Sequence, residues 1–134
     1  MTGKLIKNRE SAFLQQEVRC YYCKQPMWLD DPKDYSAKYG LTARETRSLQ
    51  CTAEHLQPRR DGGGDESANI VAACLFCNRR RETRATPLSP ERYSRYVTRR
   101  VSKGRWHGAR ILARLCERKD RAPSPNYGPP ELRP

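Results

Sequence analysis

The chain has 134 residues, 36% of them hydrophobic, with 27 Lys and Arg against 15 Asp and Glu and a formal net charge of +12. That length fits one domain with a thin core, which calls for a staple such as a bound metal. No run approaches the ~18 consecutive apolar residues of a membrane span, and the charged first turns hold no apolar stretch long enough for a secretory signal.

The expectation is therefore a cytoplasmic, reducing setting with no membrane partner, where six cysteines act as metal ligands or buried thiols rather than disulfides. Charge is unevenly spread: residues 79–119 hold 14 basic and 3 acidic side chains, whereas residues 1–78 hold 11 and 10. Such a positive block is the footprint expected for a phosphate backbone, although a solvated basic face is the plainer alternative.

In chain order, the apolar residues Ala12, Phe13, Leu14 and Val18 predict a short helix or strand leading to a knuckle at Cys20-Tyr-Tyr-Cys23. Residues 30–50 are expected to form an insertion without chemistry, with a capping box at Thr42-Ala-Arg-Glu45 starting a short helix. A strand over 50–55 leads into a polar loop with Pro58 and Gly62-Gly63-Gly64, and Ile70–Ala73 forms a second strand. An arginine-rich helix follows Cys77 and is broken by Pro87. Ser89-Pro90-Glu91 starts a further helix to about Ser102, and a last one covers 109–119. Five prolines after Asp120 predict a disordered tail over 120–134.

Cys20, Cys23, Cys74 and Cys77 form two Cys-x-x-Cys pairs, and four thiolates make the closed tetrahedral set of structural zinc. Fifty residues separate Cys23 from Cys74, so the metal ties together segments flanking an intervening element that contains His55. Redox pairs are the weaker alternative, since no thioredoxin-like pattern surrounds them. Cys51 and Cys116 are expected to be buried, inert thiols, and His107 a surface or packing residue.

Glu54-His55, Asn69 and Asn78, at intervals of fourteen and nine positions from the histidine onward, occur with Pro58, the glycine loop and Cys-x-x-Cys-Asn. This ordered set, over about Cys20 to Arg81, resembles the HNH endonuclease family. The resemblance implies an α+β fold: a small ββα-metal core over about 20–86 with a four-cysteine zinc site, added C-terminal helices over 87–119, and one nuclease domain over 1–119. It also implies that His55 is the general base, Glu54 and Asn78 hold a catalytic Mg²⁺ or Mn²⁺, and Asn69 holds the catalytic loop and orients the histidine. Two positions vary: Glu54 stands where the family more often has aspartate, and Asn78 is the asparagine variant of a position that also takes histidine.

An imidazole titrates near neutral pH and so suits activation of water, while carboxylate and amide oxygens suit a hard divalent cation. Guanidinium groups match phosphate oxygens, which makes Arg79, Arg80, Arg81 and Arg84, with Arg59 and Arg60, candidates for nucleic-acid contacts. The reading is a metal-dependent endonuclease hydrolysing DNA, acting alone, as a homodimer or within a larger nucleoprotein assembly. The alternative is a non-catalytic, zinc-containing nucleic-acid-binding module. The biological setting, whether restriction, phage DNA processing, homing or toxin action, is left open.

Overall fold

The computed structural model describes residues 1–117. The expected tail, and residues 118–119 of the last expected helix, lie outside them.

Helix α1 (Gly3–Gln15) begins at Thr2, whose hydroxyl accepts the Leu5 amide at 3.1 Å, and buries Leu5, Ala12 and Phe13 at helical spacing. It is longer than the segment expected near Ala12, because its first turns are polar and carry little periodic signal. The chain then turns through Glu17 and Val18, both at positive φ, into the first knuckle, closed by a bridge between Arg19 and Pro26.

Within the expected insertion the structure contains two helices. Helix α2 (Pro32–Tyr39) has Asp31 as N-cap, Pro32 in its first turn and Gly40 as a left-handed C-cap at φ 65°. It buries Tyr35 and Tyr39. Helix α3 (Ala43–Ser48) is capped by the reciprocal Thr42 and Glu45 bonds that the sequence predicts.

Strands β1 (Cys51–His55) and β2 (Ile70–Cys74) pair antiparallel, with Cys51 opposite Cys74 and His55 opposite Ile70. Helix α1 lies against this ribbon, and the Gln16 side chain at its end bonds both the amide and the carbonyl of Ala72, at 2.9 and 2.8 Å. Helix α4 (Leu75–Glu82) follows β2 without a break, the Cys74 sulfur accepting the Cys77 amide as its N-cap. Together β1, β2 and α4 are the ββα unit of an α+β fold.

Helix α5 (Pro90–Ser102) starts at the expected Ser89 cap and buries Tyr93 and Val97, and α6 (Ala109–Cys116) buries Ile111 and Leu115. Tyr22 and Tyr93 meet edge to face at 4.8 Å in the centre of the core, and the Tyr93 hydroxyl donates to the Cys77 carbonyl at 2.7 Å. An Arg110–Glu45 ion pair ties α6 to α3. Cys51 is buried, and burial pushes its thiol up to about 12. Cys116, expected to be buried, is exposed, because α6 turns Ile111 and Leu115 inward instead. No helix among the described residues is long and apolar enough to cross a membrane.

Candidate active site and metal centre

The knuckles bring the sulfurs of Cys20, Cys23, Cys74 and Cys77 within 4.8 Å of one another, all buried. Cys23 and Cys74 are 3.9 Å apart, close to the ~3.8 Å edge of a tetrahedron with metal–sulfur bonds of about 2.3 Å. Three amides point at the cluster: Tyr22 and Cys74 donate to the Cys20 sulfur at 3.4 and 3.3 Å, and Cys77 donates to Cys74. Burial pushes the Cys74 and Cys77 thiols well above their ordinary range. Burial also opposes ionisation of Cys20, but hydrogen bonds from the Cys23, Cys74 and Cys77 thiols hold it well below. Burial opposes four thiolates side by side unless a cation sits among them, so the donors fit a soft divalent ion.

Two residues from the turn before α6 cover this cluster. Trp106 donates its indole N–H to the Cys77 sulfur at 3.3 Å, and His107 Nε2 lies 3.3 Å from the Cys23 sulfur. His107 is buried, which lowers its pKa to about 4 and keeps it neutral, and it adopts a left-handed backbone at φ 66°. The expectation of a packing residue is met in part: what it packs against is the sulfur cluster. A lone histidine outside both Cys-x-x-Cys pairs gave no signal of this.

The second centre lies at the end of β1. Successive strand residues point to opposite faces, and here Glu54 turns toward α4 while His55 turns toward the 56–69 loop. Both line a cleft of about 500 Å³ together with Pro58, Arg59, Arg60 and Leu5. His55 Nε2 lies 2.8 Å from Asp65 Oδ1 and 3.2 Å from Arg59 Nε, and Arg59 also donates to both Asp65 oxygens. The bond to Asp65 needs a proton on Nε2 and that from Arg59 a lone pair, so they belong to different tautomers. With Nε2–H turned to Asp65, Nδ1 keeps its lone pair. The His55 hydrogen bond, chiefly, holds the Asp65 carboxyl below its usual range.

Asp65 is the residue that sequence reasoning missed. It follows the glycine run with no spacing signature, and only folding the loop carries it back to His55. Helix α1 fixes it from behind: Asn8 donates to its carbonyl at 2.8 Å.

Asn69 ties the loop together. Its Oδ1 accepts the Gln57 amide at 2.8 Å, and its Nδ2 donates to the carbonyls of Gln57 and Gly64 at 3.1 and 2.8 Å. Gly63 passes so close that a Cβ there would stand 1.7 Å from the Gln57 oxygen, so only glycine fits.

Glu54 is 4% exposed, and its Oε2 accepts from the Tyr22 hydroxyl at 3.0 Å and from Arg81 at 3.1 Å. Burial raises its pKa, against the opposing pull of Arg81. Among the described residues Oε1 has no hydrogen-bond partner. Asn78, on α4, donates through Nδ2 to Thr52 Oγ1 and the Ala53 carbonyl, while its buried Oδ1 has no partner among the described residues.

Arg81 corrects an expectation. Grouped by sequence with the phosphate-binding arginines, it is 4% exposed and spends its donors on Glu54 and on the carbonyls of His55, Leu56 and Leu88. On an eight-residue helix, position 81 faces the ribbon, whereas Arg79 and Arg80 face solvent. Arg59 and Arg60 border the His55 cleft, and Arg84 lies beyond the end of α4 with its carbonyl accepting from Arg60.

The family model described as HNH endonuclease matches residues 42–84, the stretch that holds β1, the loop, β2 and α4. Over that stretch the ββα unit of this chain is similar to the HNH endonucleases. Neither the curated proteins nor the solved structures compared with the chain give a match.

Proposed function

We propose that the chain is a metal-dependent endonuclease that hydrolyses phosphodiester bonds of DNA at the His55 cleft. The observation that carries this reading is the Asp65–His55 contact at the end of β1, within a cleft bordered by Arg59 and Arg60. Asp65 holds the tautomer in which Nδ1 takes a proton from water, and Asn69 holds the loop that places both. Glu54 through Oε1 and Asn78 through Oδ1 are the residues that would hold Mg²⁺ or Mn²⁺, which when bound offsets charge on the phosphate and the leaving oxygen. Arg59, Arg60, Arg79, Arg80 and Arg84 would contact the DNA backbone. Zinc is the fitting ion for the four-cysteine site, and because Trp106 and His107 cover that site, the C-terminal helices are read as part of the same domain.

Plasmid cleavage tests the proposal. Wild-type protein is expected to nick supercoiled DNA with Mg²⁺ or Mn²⁺ added and not without. His55→Ala is expected to cut about a hundredfold more slowly, or worse, while keeping its fold by circular dichroism. Full activity in that variant would remove His55 as the base.

Asp65→Asn keeps the shape but loses a charge-assisted bond worth about 1.5–3 kcal/mol. The cleavage rate is expected to fall about ten- to a hundredfold, with DNA affinity not weakened in gel-shift titration. A rate equal to wild type would deny Asp65 its role.

One observation favours the binding-only alternative: Arg81 neutralises Glu54, leaving the candidate cation site little net charge. Salt-sensitive DNA binding with no cutting under any divalent ion would decide for it.

A further inference from the structure

A second groove, of about 570 Å³, runs between α4, α5 and the turn before α6, on the side of α4 that carries Arg80 rather than Arg81. Arg80, Arg84, Arg100 and Arg105 line it with Tyr96 and Trp106, and no carboxylate does. Among the described residues none of these four arginines has an ion-pair partner, whereas Arg59 and Arg81 at the His55 cleft do. The Nε of Arg100 is buried with no hydrogen-bond partner among the described residues.

The aromatic rings set the guanidinium planes. Arg80 lies over Phe76 at 4.4 Å and Arg84 over Tyr96 at 4.9 Å. A ring face holds a guanidinium by cation–π attraction while its N–H edges stay free, so the donors are ordered before any ligand arrives. Since those ring faces are covered by arginines, they are not open for stacking of bases. What remains to be recognised is a run of anions.

This groove also meets the His55 cleft. Arg60, which borders that cleft, donates to the carbonyl of Arg84, which lines the groove. A strand lying across His55 would pass next over these arginines.

We propose that the groove is a phosphate clamp for the backbone of duplex DNA beyond the scissile position, half of it built by Arg100 and Arg105 outside the matched HNH segment. The proposal rests on the reading of the chain as a DNA-acting protein and names the part of the substrate held away from the cut. It predicts binding that is indifferent to base sequence.

The test is fluorescence anisotropy with a duplex DNA oligonucleotide and no added divalent ion, over a series of KCl concentrations. The proteins are zinc-loaded wild type, R105Q and R100Q/R105Q. Removing one arginine from the phosphate backbone is expected to flatten the plot of log affinity against log salt by about 0.9. For the double variant, affinity would then drop about twelvefold less than for wild type between about 50 and 200 mM salt. R105Q, at an exposed position, is expected to show half the change in slope and keeps the test valid if the double variant folds poorly. Slopes equal to wild type in both would overturn the clamp even if plasmid cleavage succeeds. Tighter binding of an RNA duplex than of DNA, with the same arginine dependence, would overturn the assignment to DNA. Altered slopes in a protein that never cuts would uphold the clamp and sink only the nuclease reading.

Discussion

Stripping the metal from the four-cysteine site is expected to unfold the protein. Structural zinc in small domains contributes an apparent ~10–16 kcal/mol near neutral pH, whereas a domain of this size is stable by only about 5–15 kcal/mol in total. The sulfurs join the knuckle after α1 to the junction of β2 and α4, and the covering Trp106 brings in the C-terminal helices. Without a cation, four buried thiols replace four bonds at the centre of the core. The expected result is loss of the helical circular dichroism signal on addition of a strong zinc chelator, and recovery with Zn²⁺ but not Mg²⁺. Cys74→Ser should behave like the chelated protein, since Cys74 also caps α4. A metal-free sample, verified by elemental analysis, that melts at the same temperature as the loaded one would refute the structural role.

Arg81→Ala is expected to cost about 3–5 kcal/mol, the range for removing one partner of a buried ion pair. Its guanidinium meets Glu54 and three backbone carbonyls, so truncation strands a carboxylate whose pKa burial already raises. Glu54 would then take up a proton or draw in water. Adding Glu54→Gln removes the unpaired charge and should restore part of the loss, which distinguishes charge burial from simple loss of packing. Urea midpoints of the single and double variants give the measurement. A loss below about 1 kcal/mol for Arg81→Ala would place the pair in the weak class of exposed ion pairs.

The parts legible in the sequence are those where local chemistry decides structure. Thr42 with Glu45, and Ser89 with Pro90, announce helix starts because capping is settled within four residues. The Cys-x-x-Cys pairs announce a metal site because their spacing is that of a knuckle. Helix α2 was hidden because Pro32 and Asp34 look like a break, although proline in a first turn and an aspartate cap at Asp31 are also how a helix begins. Arg81 was indistinguishable from its neighbours by type. Its direction is set by the phase of α4 against the ribbon, a tertiary fact. Asp65 and His107 belong to the same kind: each reaches its partner only when a loop closes, Asp65 onto His55 and His107 onto Cys23.

The bonds that Gln16 makes to Ala72 bear on how the protein behaves at high concentration. A two-stranded ribbon presents unpaired backbone groups along its rims, and such rims recruit strands from other molecules. Gln16 offers Ala72 the donor and acceptor that a neighbouring strand would, and the Tyr21 amide takes the same carbonyl. Together these groups cover the rim at the middle of β2 and block a route to edge-to-edge self-association there, leaving the end of the ribbon that carries His55 open for its loop.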